Sequence, residues 1–164
     1  MTQSPALHQD LTSLEFLIGA WRGEGAGRYP TISPFSYGEE VRFWHIGRPF
    51  LAYSQVTWSL ADGSPMHGET GFWRPKPGGR LEVVLAHPSG VVEVEEGTMV
   101  VDGRAARFEL ATTTVGLAAT AKSVDALTRS FTIEGDRLSY SVGMAAVDQS
   151  LQHHLGAELH RVAE

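Results

Sequence analysis

The chain has no cysteine, which excludes disulfides, thiolate metal sites, a cysteine nucleophile and thioether attachment of a cofactor. Positive charge is also scarce, with 13 Lys and Arg against 19 Asp and Glu and no basic cluster. This balance predicts that neither nucleic acid nor an anionic membrane is a partner. Long apolar runs are missing as well, because Asp10 and Glu15 interrupt the apolar residues near the N-terminus. We therefore expect neither a signal peptide nor a membrane span, and a soluble cytoplasmic protein.

Eighteen glycines and eight prolines are spread along the 164 residues and favour many short elements over a few long helices. The length and the 42% hydrophobic content suit one domain over residues 1–164. The apolar residues before Gly19 have a partly helical spacing and predict a short N-terminal helix. After Gly19 the chain changes to short runs that are rich in β-branched and aromatic residues.

These runs predict ten strands, most of them separated by turns of the Asp-Gly, Gly-Asp or Pro-Gly type. The predicted strands are Gly19–Glu24, Ser36–Ile46, Phe50–Leu60, His67–Arg74, Leu81–Ala86, Val91–Val101, Ala105–Thr113, Asp125–Ile133, Arg137–Ala146 and Leu155–Val162. Such short connections are typical of antiparallel hairpins. An open sheet of ten strands leaves unpaired edges, and closure removes them. We therefore predict an all-β fold, a ten-stranded antiparallel up-and-down β-barrel that resembles lipocalins and fatty-acid-binding proteins.

A barrel of ten strands is wider than the eight-stranded kind that side chains just fill, so it predicts a cavity for one small ligand. The competing architecture is a two-sheet sandwich with a filled core and no cavity.

Two adjacent histidines, His153 and His154, stand where the last predicted strand begins. Histidine is the commonest metal ligand in proteins. Strand alternation places His153 on the face of Leu155 and Leu159, which favours His153 as the inward residue. A bend or bulge before Leu155 would reverse this assignment and turn His154 inward. The alternative is that both histidines are polar surface residues.

Trp21 alternates with glycines in Gly19-x-Trp21-x-Gly23-x-Gly25, so on a strand all four share one face. The missing side chains would leave a recess beside the indole, open to a ligand or to another backbone. Alternatively, Trp21 plugs the closed end of the barrel.

Two prolines and three aromatic residues in Tyr29–Tyr37 predict a rigid loop, which either frames a pocket mouth with Thr31 or packs as a crossover. The paired glutamates Glu39-Glu40 and the run Glu93–Glu96 are explained by a solvated strand face. Met66 and His67 are of interest only if their strand faces the cavity.

Together these motifs resemble the nitrobindin family of haem-binding β-barrels. The resemblance rests on motifs that cover nearly the whole chain in order: the Gly-x-Trp-x-Gly-x-Gly run, Tyr29-Pro-Thr-Ile-x-Pro-Phe-x-Tyr37 with Glu39-Glu40-Val41, Pro65-Met66-His67, Gly90–Gly97, Arg129-Ser-Phe131 and Gln152-x-His154-Leu155.

The resemblance implies one non-covalent haem b whose iron is axially ligated by His154, the residue before the leucine of the last strand. It implies haem contact by Thr31, with Trp21 as a secondary candidate, and a distal side formed by Met66, His67 and Met144. The implied activity is isomerisation of peroxynitrite to nitrate on ferric haem, with His154 as the catalytic residue and with reversible binding of nitric oxide. If the distal side offers few hydrogen-bond donors, ferric iron is the expected resting state.

Two other functions use the same barrel. One is a non-enzymatic carrier of a fatty-acid-like apolar ligand, which has no use for His154. The other is a haem-based sensor of nitric oxide or peroxynitrite. The implied partners are small molecules, and the protein is expected to be a monomer or a homodimer.

Overall fold

The computed structural model describes residues 5–163, so both ends of the predicted domain, residues 1–4 and 164, lie outside the described part. A short 3₁₀ helix over Gln9–Leu17 precedes ten strands. The strands are β1 (Gly19–Tyr29), β2 (Ile32–Trp44), β3 (Leu51–Ser59), β4 (Pro65–Lys76), β5 (Arg80–Ala86), β6 (Val91–Asp102), β7 (Ala105–Leu117), β8 (Val124–Glu134), β9 (Arg137–Ala146) and β10 (Gln152–Arg161).

Each strand pairs antiparallel with its neighbour along the chain, and β1 pairs with β10 to close the barrel. At the closing seam Gly23 lies opposite Leu159 and Gly27 lies opposite Leu155. Closure leaves none of the ten strands as an edge, because every strand pairs with a neighbour on both sides. The predicted ten-stranded up-and-down barrel is confirmed, and the sandwich is excluded.

The loop predicted over Tyr29–Tyr37 is largely absent, and this prediction is wrong. β1 continues to Tyr29, a turn at Pro30 and Thr31 reverses the chain, and β2 begins at Ile32. The prolines that suggested a loop occupy places that a barrel tolerates, since Pro30 lies in a turn and Pro34 comes early in its strand.

One end of the barrel is closed by apolar side chains. The helix buries Leu11, Leu14 and Leu17 completely against the barrel. Trp21 is also fully buried, and its indole Nε1 donates to the Leu17 carbonyl at 2.9 Å. The Arg161 guanidinium lies 4.3 Å from the centre of the indole ring and donates to the carbonyls of Phe16 and Ile18. These contacts fix the helix as a lid on this end.

Among residues 5–163 no helix has both the length and the apolar character needed to span a bilayer.

Candidate functional site

A cavity of about 330 Å³ opens at the end of the barrel away from the helix. Its volume falls at the lower end of the range for small-ligand pockets. Apolar and aromatic side chains from β2, β8, β9 and β10 form much of its wall, and polar groups form its floor. The lining residues used below are Ile32, Phe35, Tyr37, Gln55, Met66, His67, Glu69, His87, Glu93, Leu127, Arg129, Tyr140, Val142, Met144, His154 and Leu155.

His154 reaches the cavity because β10 contains a bulge. His153 lies opposite Gly143 of β9, but Leu155 lies opposite Val142, so β10 has one residue more than β9 at this point. A bulge turns two successive side chains toward the same face. His154 and Leu155 both line the cavity, whereas His153 faces outward beside Phe35 and Ser36 of β2. The inward assignment of His153 from simple alternation is therefore wrong, and the bulge before Leu155 that turns His154 inward is present.

The His154 ring is held between two aromatic side chains, with ring centres 5.3 Å from Tyr29 and 6.5 Å from Phe35. The Tyr29 hydroxyl is itself fixed, because it accepts from the Ala146 amide at 2.8 Å. His154 Nδ1 lies 3.1 Å from the carbonyl oxygen of Arg28. A carbonyl only accepts, so Nδ1 carries the hydrogen and Nε2 keeps a free lone pair.

Partial burial lowers the pKa of His154 below its ordinary value, and this outweighs the opposing hydrogen bond to Arg28. The imidazole is therefore neutral at pH 7. In a typical metal-binding histidine the imidazole is neutral, one nitrogen binds the metal and the other donates its hydrogen to a backbone carbonyl or a carboxylate. His154 thus presents an unprotonated Nε2 to the cavity.

The polar floor of the cavity is centred on Arg129, which is 6% exposed. Its guanidinium forms a fork with Glu69, with Nη1 to Oε1 at 2.9 Å and Nη2 to Oε2 at 3.1 Å. It also donates to Glu93 at 2.7 Å and to Glu95 at 3.1 Å. A buried arginine needs such partners, because an unpaired charge in the interior costs several kcal/mol.

The four buried glutamates do not share one charge state. Burial raises the pKa of Glu39 to about 7 and raises that of Glu95, even though Arg129 opposes the shift in both cases. Burial acts in the same direction on Glu93, but Arg129 and His87 outweigh it, so the pKa of Glu93 falls below its usual range. Glu69 accepts the bidentate fork of Arg129. Glu39 accepts from Tyr140 at 2.6 Å and from Gln55 at 2.7 Å.

The prediction of a solvated face for Glu39, Glu93 and Glu95 is wrong, since these side chains are at most 2% exposed. Glu93 and Glu95 point inward, and the valine between them is on the outer side of β6. Sequence reasoning missed this floor and Arg129 at its centre. A signal existed, because Arg129 alternates with Leu127 and Phe131 and therefore shares their buried face.

Four of the residues predicted from sequence meet at the cavity: His154, Met66, His67 and Met144. Thr31 lies in the exposed turn beside Ile32 of the lining, and it is not itself in the wall. His87, which sequence reasoning did not select, joins His67 at the cavity with ring nitrogens 3.0 Å apart. The wall therefore has more hydrogen-bonding groups than expected.

The structure does not bring Trp21 to the cavity, so its assignment to cofactor binding is corrected. Trp21 belongs to the closed end, where it packs under the helix. The recess that the glycines of β1 leave is filled by the protein itself. A Cβ on Gly25 would meet the Tyr37 ring at 2.5 Å, and one on Gly27 would meet the Phe35 ring at 2.3 Å.

The fold and the site define a class of protein: a closed β-barrel with a small-ligand cavity, into which the neutral imidazole of His154 points. A profile of the "THAP4-like, heme-binding beta-barrel domain" matches residues 10–161. Peroxynitrite isomerase 2 of Mycobacterium avium is 57% identical over 155 residues, which are 94% of this chain and 96% of that protein. Peroxynitrite isomerase 1 of Mycolicibacterium paratuberculosis is 56% identical with the same coverage.

A crystal structure of Rv2717c from M. tuberculosis superposes with a TM-score of 0.94 at 53% identity, covering 96% of this chain and all of that one. The chain belongs to the THAP4-like haem-binding β-barrel family, the nitrobindin family that the sequence motifs resemble.

Proposed function

We propose that this protein is a haem-dependent peroxynitrite isomerase, in which a non-covalent haem b is held through His154. The observation that carries the proposal is the bulge in β10, which turns His154 into the cavity with Nε2 free. The proposal is supported by the family to which the chain belongs and by relatives named peroxynitrite isomerase at 55–57% identity.

The residues of the cavity fit such a group. His154 supplies one neutral nitrogen ligand, and an absent thiol leaves no competing soft ligand. Haem held by His154 would supply the iron chemistry that rearranges peroxynitrite to nitrate. Around it, Tyr29 and Phe35 orient the His154 ring, the Arg28 carbonyl keeps its Nδ1 protonated, and apolar side chains such as Val142 exclude water.

Met66, His67 and Met144 are proposed to contact the haem from the cavity wall, and Thr31 from the turn beside it. A ferric resting state and reversible binding of nitric oxide belong to the same proposal, as do a cytoplasmic location and a monomeric or homodimeric state. A sensor would use the same site, so catalytic turnover of peroxynitrite is the property that separates the two functions.

The polar floor weighs against a carrier of fatty acids. A fatty-acid carrier needs a cation that is available to the ligand carboxylate, and every guanidinium nitrogen of Arg129 already donates to Glu69, Glu93 or Glu95. A ligand carboxylate would enter a floor that already holds surplus negative charge.

The first test is a titration with ferric haem, followed by the Soret band, on the parent and on His154→Ala. We expect the ligated spectrum to disappear in His154→Ala, because no other nitrogen in the cavity has the same backbone-fixed tautomer. The matched control is His153→Ala, which removes the adjacent outward-facing histidine and should leave the spectrum unchanged. Haem-loaded parent should then accelerate peroxynitrite decay, with nitrate as the product.

If neither substitution changes the spectrum, the haem proposal fails and an apolar carrier becomes the leading function. If the spectrum behaves as expected but decay is not accelerated, the haem site stands and the enzymatic part of the proposal fails.

A further inference from the structure

Three potential ligand atoms converge at one side of the cavity, apart from His154. His67 Nε2 lies 3.0 Å from His87 Nδ1, and His87 Nδ1 lies 3.4 Å from Glu69 Oε2. All three atoms lie within 4.8 Å of one another. Ligand atoms at the bond lengths of a tetrahedral zinc site are about 3.3–3.5 Å apart, so only small side-chain movements separate this group from a coordination sphere.

The barrel brings these residues together through its register. His67 and Glu69 alternate along β4 and share its inner face, and Thr70 pairs with Ala86 of β5. Because β4 and β5 are antiparallel, Glu69 and His87 are the next two residues opposite each other and lie side by side. Since β4 is four strands away from β10 around the barrel, the group lies across the cavity from His154.

The hydrogen-bond partners of the group orient it toward a cation. Glu93 Oε2 lies 3.3 Å from His87 Nε2, and a carboxylate only accepts, so Nε2 carries the hydrogen and Nδ1 keeps a lone pair. A carboxylate behind the distal nitrogen of a histidine is the usual support of a metal ligand. Glu69 is likewise held in place, because Oε1 accepts from Tyr53 at 2.9 Å and from Arg129 at 2.9 Å.

In the metal-free arrangement, the lone pair of His87 Nδ1 accepts from His67 Nε2 at 3.0 Å, and His87 Nδ1 also lies 3.4 Å from Glu69 Oε2. The floor also has a surplus of negative charge, because Glu69 and Glu93 are both paired with the single guanidinium of Arg129. A divalent cation between the three atoms would take the place of the hydrogen that His67 Nε2 shares with His87 Nδ1, and it would offset the surplus negative charge.

We propose that His67 Nε2, His87 Nδ1 and Glu69 Oε2 form a binding site for a divalent transition metal of the zinc type. Two imidazole nitrogens and one carboxylate oxygen are a common ligand set for zinc, and three protein ligands leave a further position for water or an anion. The site is distinct from His154 and does not require haem. Its metal would stand at the wall of the same cavity.

The test is a calorimetric titration of Zn²⁺ into the full chain prepared without haem, with ¹⁵N NMR of the histidine rings. We expect one ion per chain, with shifts at His67 Nε2 and His87 Nδ1. His67→Ala and His87→Ala should each weaken binding at least about tenfold, the loss that follows even from removing an outer partner of a ligand. Circular dichroism checks that both variants are folded, and either one alone carries the test.

Two control variants test whether the loss of Zn²⁺ binding is specific to His67 and His87. His160→Ala removes an exposed imidazole that lies 3.1 Å from the Glu158 carboxylate, a similar pair without a third ligand. His154→Ala removes the histidine proposed to bind haem. Both should keep the parent affinity for Zn²⁺. The proposal is overturned if the parent shows no saturable binding, if His154→Ala abolishes binding, or if folded His67→Ala and His87→Ala bind as the parent does.

Discussion

Glu39 is the buried residue whose charge state has the clearest consequence for stability. Its side chain is fully buried, and burial raises its pKa from 4.5 to about 7. The folded protein therefore holds the Glu39 proton more tightly than the unfolded chain does. Rising pH between about 4.5 and about 7 then lowers the free energy of unfolding, by about 3 kcal/mol in total for a shift of this size.

Glu39→Gln replaces the protonated acid with a neutral side chain of the same shape and removes this pH dependence. We expect the loss of unfolding free energy between pH 5 and pH 8 to be smaller by about 2.5 kcal/mol in Glu39→Gln than in the parent. Urea unfolding at the two pH values measures it. The exposed Glu24 provides the control, since Glu24→Gln should follow the parent. Equal pH dependence in Glu39→Gln and the parent would contradict a raised pKa.

At the residue scale the sequence was informative about His154 and misleading about the glutamates. The motif that ends in His154-Leu155 selected the histidine that lines the cavity, although alternation alone favoured His153. The prediction for the glutamates was wrong because it took charge as a sign of solvent exposure. The burial of Glu93 and Glu95 depends on Arg129, which comes from a strand about 35 residues further along the chain, and no local pattern in β6 specifies that partner.

At the element scale, the bulge in β10 determines which histidine enters the cavity. Deleting His153 should remove the extra residue and restore a regular ladder with β9. His154 would then lie opposite Gly143 and point outward. We expect this deletion to abolish the ligated haem spectrum as completely as His154→Ala does, even though His154 is still present.

His153→Ala is the control for the deletion, because it removes the same side chain and keeps the bulge. Circular dichroism should show that the deleted chain is still a β-barrel. A folded deletion variant with the parent Soret band would show that the bulge does not position the ligand.

The elements themselves were largely predictable from sequence. All ten strands were found, since each has alternating or β-branched residues and most are bounded by clear turn residues. The predicted first and last residues of the strands were less accurate: β1 runs to Tyr29 instead of Glu24, and β4 begins at Pro65 instead of His67. Pairing with a neighbouring strand extends these segments beyond their own sequence preference, and that pairing is a property of the closed barrel.

For the whole molecule, the two ends of the barrel are expected to have separate roles. The helix and Trp21 close one end, and the cavity with His154 occupies the other. Leu14→Ala removes a fully buried side chain from the closed end and should cost about 2–5 kcal/mol of unfolding free energy. The haem affinity should stay within about threefold of the parent, because sites without shared contacts are nearly additive.

Thermal unfolding and a haem titration of the same Leu14→Ala sample measure the two quantities. Leu155→Ala is the matched control at the open end, where a leucine lines the cavity, and it should lower haem affinity more than Leu14→Ala does. A large loss of haem affinity in folded Leu14→Ala would show that the two ends are coupled.

The seam between β1 and β10 also determines when the site can come into existence. The two strands that close the barrel lie at opposite ends of the chain: β1 ends at Tyr29 and β10 begins at Gln152, and Gly23 pairs with Leu159. Pairings over such separations form late and slowly, because much of the chain must be ordered before they contribute. His154 lies on the closing strand, so a growing chain on the ribosome has no site until β10 has emerged and docked. Cofactor capture is therefore a step that follows completion of the barrel.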